Sequence, residues 1–382
     1  MKILHLCLCG PVTDGWTYQE NMLSKYHVKL GHEVAMIASQ WVWGENGRLK
    51  RYMKTDYMTQ DGVTMIRLDI KNGDIRNKFK RYRGLYQALE KVNPDIIFMH
   101  GCQCLDVTEV VKYLRKNKVA LYVDNHADFS NSATNWVSKN ILHKVVWKFY
   151  AQRLVPYARK FYGVLPARVD FLKKMYNIPN EKCELLVMGA DDEKVASAAG
   201  DKVIEAVRDM YHIMPTDFLV VTGGKIDNSK KQTLLLMQAV ARAKNERIKL
   251  IVFGSVEEEL EDKVKELSDG EKVKYIGWMN PEETYKIFAA ADVVVFPGRH
   301  SVFWEQVAGQ GIPLIVKDWP GTHHIDVGGN VRFLKRDDEI EIREMLEELV
   351  DNPSEYRKMK KVAIEKGLQS FSYKNIAEWS IR

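Results

Sequence analysis

Lys225 and Lys230 lie five residues apart on a glycine-bearing stretch, Val221-Thr-Gly-Gly-Lys-Ile-Asp-Asn-Ser-Lys230. Two ammonium groups on such a loop suit the stabilisation of negative charge, and could equally belong to a solvated lysine-rich turn. Further along, Phe296-Pro-Gly-Arg-His-Ser-Val-Phe-Trp-Glu305 carries one carboxylate, Glu305, where a loop turns into a helix. Free N–H groups at a helix start attract phosphate, which a carboxylate there would repel. Glu305 therefore reads as an acceptor for sugar or ribose hydroxyls. In the first half, His126 follows an apolar run in Val123-Asp-Asn-His-Ala-Asp128. On the residues alone it could cap the strand end by bonding backbone. The Asp-x-His-x-Asp run is not read as a metal site, because five residues at a strand end rarely converge on one ion. Two carboxylates paired for acid–base hydrolysis of a glycoside are not evident.

These residues sit on alternating strands and helices. Ile3–Cys9, Glu33–Ala38, Val63–Leu68, Ile96–His100 and Ala120–Val123 read as strands, with helices over 19–30, 77–92 and 106–116. A basic-aromatic segment, 135–162, follows, then the stretch 168–176 and a strand over 183–187. The pattern restarts with strands 218–222, 248–253, 273–277, 291–296 and 314–316, separated by helices over 231–243, 256–267 and 281–290. Late helices are expected over 340–351 and 353–369. Alternation at this spacing predicts an α/β chain of two Rossmann-like, doubly wound, mostly parallel sheets facing a cleft. The expected domains are 1–195 and 196–365, with 366–382 packing back on the first. Ligands bind outside the carboxyl ends of such strands. Gly15, in the first strand-to-helix loop, permits a sharp turn and close backbone approach. No GxGxxG follows, so no dinucleotide cofactor is expected.

Composition sets bounds. The 382 residues, 46% hydrophobic and 28% charged, fit a soluble globular protein of two domains. No apolar run approaches the ~18 residues of a membrane span. Five cysteines, an odd number, argue for a reducing cytosol and buried thiols. Residues 1–190 hold 29 Lys and Arg against 17 Asp and Glu, a net +12; the remainder holds 28 against 34, a net −6. A basic first half suggests an anionic acceptor or membrane face. Nucleic acid is not favoured, because no binding motif accompanies the charge.

Several ordered motifs resemble the family 4 glycosyltransferases of the GT-B fold. Near the start are Met1-Lys-Ile-Leu-His5, Lys29-Leu-Gly-His-Glu-Val34 and Asn93-Pro-Asp-Ile-Ile-Phe-Met-His100. Val187-Met-Gly-Ala-Asp191 stands at the interdomain turn, and the Lys225–Lys230 stretch at the donor phosphate loop. Val252-Phe-Gly-Ser255, Tyr275-Ile-Gly-Trp278, Ala289-Ala-Ala-Asp-Val293 and Glu305-Gln-Val-Ala308 follow in the family's order. The resemblance implies a retaining, metal-independent hexosyl transfer from a UDP- or GDP-sugar, with no other cofactor. It implies that Glu305 holds the ribose, Lys225 and Lys230 the diphosphate, and His126 the sugar. It places Gly15, Gly224, Gly254, Gly277, Val302 and Phe303 around the donor. The first glutamate of the family's pair is absent: Pro297 stands in its place, and His300 and Ser301 are expected to substitute. Lys225 also replaces the usual arginine, which removes a bidentate fork. His323 and His324 fall where the family often has a Gly-Gly turn and glutamate; they could line the cleft, although loop histidines are more often incidental.

The expected acceptor is a surface glycan (capsule, O-antigen or exopolysaccharide), free or lipid-linked, reached from the cytoplasm at the inner membrane face. Lys139, Lys144, Lys148 and Arg153 among Trp147, Phe149 and Tyr150 suit an anionic membrane, as do residues 76–83. The same aromatics could equally form core, with the charges solvated. Two alternatives stay open: a nucleotide-sugar 2-epimerase on the same fold, and an inactive sugar-nucleotide-binding partner of a true transferase.

Overall fold

A computed structural model describes residues 1–44, 47–228 and 230–382. The chain divides into two compact units, Met1–Val187 with Tyr373–Arg382, and Met188–Ser372.

The first unit is built from β1 (Lys2–Cys7), β2 (Glu33–Ser39), β3 (Trp41–Trp43), β4 (Leu49–Arg51), β5 (Asp56–Met58) and β6 (Thr64–Leu68), followed by β7 (Ile96–His100), β8 (Ala120–Asn125), β9 (Ala158–Gly163) and β10 (Cys183–Leu185). Eight of them form one sheet in the order β10-β9-β8-β7-β1-β2-β6-β5. Every pairing is parallel except β5 with β6. β3 and β4 make a separate antiparallel hairpin. A parallel sheet needs both faces covered, which explains the near-continuous apolar runs. Ile3, Leu4, Leu6, Ile97, Phe98, Leu121 and Val123 are all fully buried. The helix Gln19–Lys29 covers part of one face and buries polar residues as well as apolar ones, Ser24 and His27 among them.

The second unit adds β11 (Phe218–Gly223), β12 (Ile248–Phe253), β13 (Val273–Tyr275), β14 (Val293–Phe296), β15 (Leu314–Lys317) and β16 (Val331–Leu334). They form an all-parallel sheet in the order β13-β12-β11-β14-β15-β16. In both units the chain order reverses within the sheet, as in doubly wound folds. Among the described residues no helix is long and apolar enough to cross a membrane.

Several expected boundaries move. The first unit ends at Val187 rather than 195, because Asp191 caps the helix Asp192–Ala198 and its N–H donates to the Tyr285 hydroxyl, 3.0 Å away. The second unit runs to Ser372 rather than 365, since the Phe371 carbonyl accepts the Ala190 N–H at 2.8 Å. Tyr373 begins the helix Tyr373–Trp379, whose Tyr373 ring stacks on Tyr26. The helix expected from 77 starts only at Leu85, after Gly84 in the left-handed region at φ 73°. The end of the basic-aromatic segment is the strand β9, with Phe161 and Tyr162 buried in the sheet. Residues 76–83 are not a plain surface patch either: Lys80 and Tyr82 are buried. All five cysteines are unbridged; Cys7, Cys102 and Cys104 are buried, Cys9 and Cys183 half-buried.

Burial lowers His27 and His143 to about 4. Both are therefore neutral in the fold and titrate near 6.5 when unfolded. The unfolded chain then binds more protons as the pH falls from about 6.5 towards 4, so stability is full above that window and declines through it. Thermal unfolding followed from pH 7 to pH 4.5 should show a falling midpoint. His143→Phe, which removes one such group, should show a shallower fall.

Candidate functional site

The carboxyl end of β11 leads into Gly224 and Lys225, and an open pocket of about 350 Å³ forms there. Thr222, Gly224, Lys225 and Lys230 line one side, and Pro297, Arg299 and Ser301 from the loop after β14 line the other. Lys230 is largely enclosed, and burial lowers its ammonium pKa. Lys225 is half-exposed; its Nζ lies 2.8 Å from Glu257 and 3.6 Å from Asp227, and the Glu257 hydrogen bond raises it. Ser229, between the two lysines in sequence, lies outside the described residues.

Glycine makes this edge possible. The Gly224 N–H donates to the Phe253 carbonyl at 3.1 Å, and the Gly254 N–H to Gly277 at 2.7 Å. Gly254 has φ 129°, and a Cβ there would lie 1.9 Å from the Gly224 oxygen. Gly277, at φ 78°, has open space around it. Gly298 brings the opposite loop within 3.5 Å of the Lys230 Cα, measured from its would-be Cβ.

Beside the pocket the helix Phe303–Gly309 holds Glu305 with no exposed surface. Its Oε1 accepts from His300 Nε2 at 2.8 Å and from His324 Nε2 at 2.9 Å. Burial pushes this carboxyl up, but the two imidazoles outweigh it and hold it at about 2. Glu305 Oε2 and His324 Nδ1 are buried without a partner among the described residues. Ser301 lines the pocket, and its Oγ faces the Phe303 N–H at 3.4 Å. Val302 is exposed, while the Phe303 ring packs against Phe253, Phe288 and Phe296.

In the first unit, Asp124 lies one residue before the end of β8, fully buried. His100 Nδ1 lies 2.7 Å from its Oδ2 and His126 Nε2 lies 3.4 Å from the same oxygen, while Oδ1 accepts the Gly101 N–H at 3.1 Å. Burial works to raise Asp124, yet the neighbouring imidazoles pull it well below the carboxylate range. Burial works to lower His126, and Asp124 reverses that, so His126 is raised. Its side chain is 42% exposed. Gly15 takes a positive φ of 75° in the loop after β1.

The structure thus brings Gly224, Lys225, Lys230 and Ser301 around one pocket, with Glu305, His300, Gly254 and Gly277 adjoining it in the same unit. His126 and Gly15 belong to the other unit. Two expectations change. His300 spends Nε2 on Glu305, so only Nδ1 is left to meet a sugar. His324 is no incidental loop residue, because it supplies the second donor to Glu305. Arg299, beside His300 in sequence, adds a third cation to this lining that the motifs do not single out. Two clusters, His100/Asp124/His126 and His300/Glu305/His324, gather imidazole and carboxylate atoms within 4.8 Å of one another. His100, His300 and His324 stand at hydrogen-bond distance from their carboxylate oxygens, 2.7 to 2.9 Å, while His126 lies farther from Asp124, at 3.4 Å.

Gly254→Ala should be among the most damaging small substitutions, costing about 3 kcal/mol or more, since backbone must move. Gly277→Ala carries only the left-handed penalty of about 1 kcal/mol. Chemical denaturation of both variants tests the contrast.

Comparison with known proteins gives this geometry a context. A relative in Campylobacter jejuni, an N-acetylgalactosamine-N,N'-diacetylbacillosaminyl-diphospho-undecaprenol 4-alpha-N-acetylgalactosaminyltransferase, is 28% identical over 221 residues, 54% of this chain and 57% of that protein. The match therefore spans little more than half the length of that relative. A glycosyltransferase from Rickettsia africae superposes with a TM-score of 0.69 at 11% identity, covering 99% of this chain and 96% of the other. Anabaena Alr3699/HepE, solved in complex with UDP, gives 0.69 at 14%, covering 99% and 98%. At such identity the likeness speaks for the fold, that of the GT-B glycosyltransferases. On this fold, residues 204–366, the stretch that carries the pocket and Glu305, match the sequence model of the family Glycosyl transferases group 1.

Proposed function

We propose that the chain is a retaining glycosyltransferase that moves a hexose from a UDP- or GDP-sugar to a surface-glycan acceptor, free or lipid-linked. The observation that carries this reading is the pocket at the β11 edge. Lys225, Lys230 and Arg299 converge there, beside a buried Glu305 with one unpartnered oxygen. The cations would take up charge on the departing diphosphate, where preorganised positive groups act most strongly. Glu305, ionised at any working pH, would accept ribose hydroxyls through Oε2. His126, half-exposed and backed by Asp124, would face the sugar ring. The family match over 204–366 and the lipid-diphosphate substrate in the name of the Campylobacter relative support this reading. The inactive-partner alternative draws on Pro297 standing where a carboxylate is expected.

Thermal unfolding with a panel of UDP-, GDP-, ADP- and TDP-sugars tests the donor. Selective stabilisation by one base is expected, by linkage. It should weaken at least tenfold in apparent affinity in Glu305→Gln, which keeps the shape and loses the charge. No shift with any nucleotide at millimolar excess overturns the donor assignment. Donor consumed without acceptor would point instead to the epimerase.

The same proposal places the protein at an anionic membrane face. Val137, at the cap of the helical segment 138–154, and Ile141, Val145 and Phe149 within it recur every fourth residue and are all exposed, with Trp136 just before them. Lys139, Lys144 and Lys148 interleave with them, as in interfacial helices. The opposite side supplies core, including Trp147, Ala151 and Leu154. Co-sedimentation with phosphatidylglycerol–phosphatidylcholine vesicles should occur, fall with salt, and be lost in the double variant Ile141→Glu, Val145→Glu without loss of thermal stability. Wild-type protein left in the supernatant sinks the membrane assignment.

A further inference from the structure

Four hydrogen-bond contacts run in series through the core of the first unit. His27 Nε2 lies 2.9 Å from the Ala377 carbonyl, and His27 Nδ1 lies 2.9 Å from His5 Nε2. His5 Nδ1 is 2.9 Å from His100 Nε2, and His100 Nδ1 is 2.7 Å from Asp124 Oδ2. His5, His27 and Asp124 have no exposed surface, and His100 has 7%. At such distances each contact needs one proton between its two atoms.

Both ends of the series are acceptors. At one end is a backbone carbonyl. The Ser380 hydroxyl donates to that carbonyl at 2.8 Å and accepts from His27 Nε2 at 3.1 Å, so His27 Nε2 carries a hydrogen. At the other end is a carboxylate whose Oδ1 already accepts the Gly101 N–H. Three neutral imidazoles bring one N–H each, and four contacts need four. Working inwards from Ala377, His27 is the Nε2–H form and His5 must donate from Nε2. His100 must then donate to His5 from Nε2 and to Asp124 from Nδ1.

We infer that His5, His27 and His100 hold one proton more than three neutral imidazoles supply, that it resides on His100, and that through Asp124 this series governs His126. The three histidines are positioning residues: none touches a reacting atom. The excess proton makes a neutral pair of His100 and Asp124, which is the form of charge a core tolerates. Asp124 then acts on His126 with its field partly cancelled, and draws the His126 proton to Nε2. This leaves Nδ1 of neutral His126 as an acceptor at the exposed end. The bearing on sugar transfer rests on the role proposed for His126; the proton count does not.

Other titratable groups face the series. The His32 ring lies 6.2 Å from that of His27. Glu20 and Arg168 act on His126 with opposite sign. The Cys7, Cys9 and Cys102 thiols lie near enough to Asp124 to feel its charge.

The test uses the full chain labelled with ¹⁵N-histidine, its side chains observed by NMR at pH 7. His5 and His27 should appear neutral with Nε2 protonated, and His100 with both nitrogens protonated. His27→Gln should leave His100 doubly protonated, because the amide oxygen accepts from His5 and the amide NH₂ donates to Ala377. His27→Phe removes the acceptor of His5, which can switch to its Nδ1–H form, so the two contacts that remain need only the two protons that two neutral imidazoles supply. His100 should become neutral with bare Nε2, and the titration midpoint of His126 should rise by about one pH unit as the full Asp124 charge acts on it. A neutral His100 in the wild type overturns the proton count, and this reading stands even if His27→Phe fails to fold. An unmoved His126 in a folded His27→Phe variant that has lost the His100 proton overturns the link to His126. Failure to find any transferred sugar would strike the proposed activity alone, since both readouts are of the histidines themselves.

Discussion

A carboxylate without access to water must be given donors, and the two units solve that problem in the same way. Asp124 and Glu305 both have no exposed surface, and each is met by two imidazoles, His100 and His126 in one case, His300 and His324 in the other. An uncompensated ion at either place would cost several kcal/mol. A neutral acid would forfeit the acceptor capacity that makes the group useful. Histidine suits the task because it can donate neutral or charged, so the pair can balance its own charge. The loops after β8 and β14 are therefore not free to vary independently of β7 or of residues near 324. Each is tied by a buried bond to a chain segment distant in sequence.

The sheets supply the rest of the positioning. Parallel strands covered on both faces leave only their ends for polar chemistry, and the carboxyl ends of β8, β11 and β14 are where charge collects. Bringing the ends of β11 and β12 together requires backbone to approach backbone. Gly223 lies against the Phe253 ring, with its would-be Cβ only 2.1 Å away, and Gly254 lies against Gly224. Side chains at these places would push the pocket apart. The glycines thus determine how closely Lys225 and Lys230 can stand to the loop that carries Arg299.

Much of this was legible in the sequence, because buried parallel strands are written as short apolar runs. Ile96–His100 and Ile248–Phe253 fall where the runs place them. The failures have physical causes. β9 reads Ala-Arg-Lys-Phe-Tyr-Gly, with charges at its start that mimic the preceding basic helix, and only its pairing with β8 makes it a strand. β16 is a short run of mixed polarity at a sheet edge. At the site, the motif order located Lys225, Lys230 and Glu305 within one unit. It could not reveal that His324, nineteen residues from Glu305, would bond it, since that contact arises from tertiary packing. The His27–His5–His100 series was likewise invisible, because no periodicity links a helix residue to two strand residues across a sheet.

Proline at 297 has a consequence for charge. A loop built with a carboxylate there would set an anion against the lysines; here the described pocket lining contains three cations, Lys225, Lys230 and Arg299, and no carboxylate. Glu305 stands outside that lining, its charge answered by two imidazoles. Lys225 is partly neutralised by Glu257 and Asp227 from outside the pocket, and Asp227 acts on Lys230 as well. Such a balance favours a multiply charged anion over a neutral sugar as the group the pocket grips. His300 differs from the carboxylate that the resemblance expects, because its Nε2 is already committed to Glu305 and its ring offers a single remaining nitrogen. Ser301 is left as the uncharged polar side chain on that loop best placed to meet a hydroxyl.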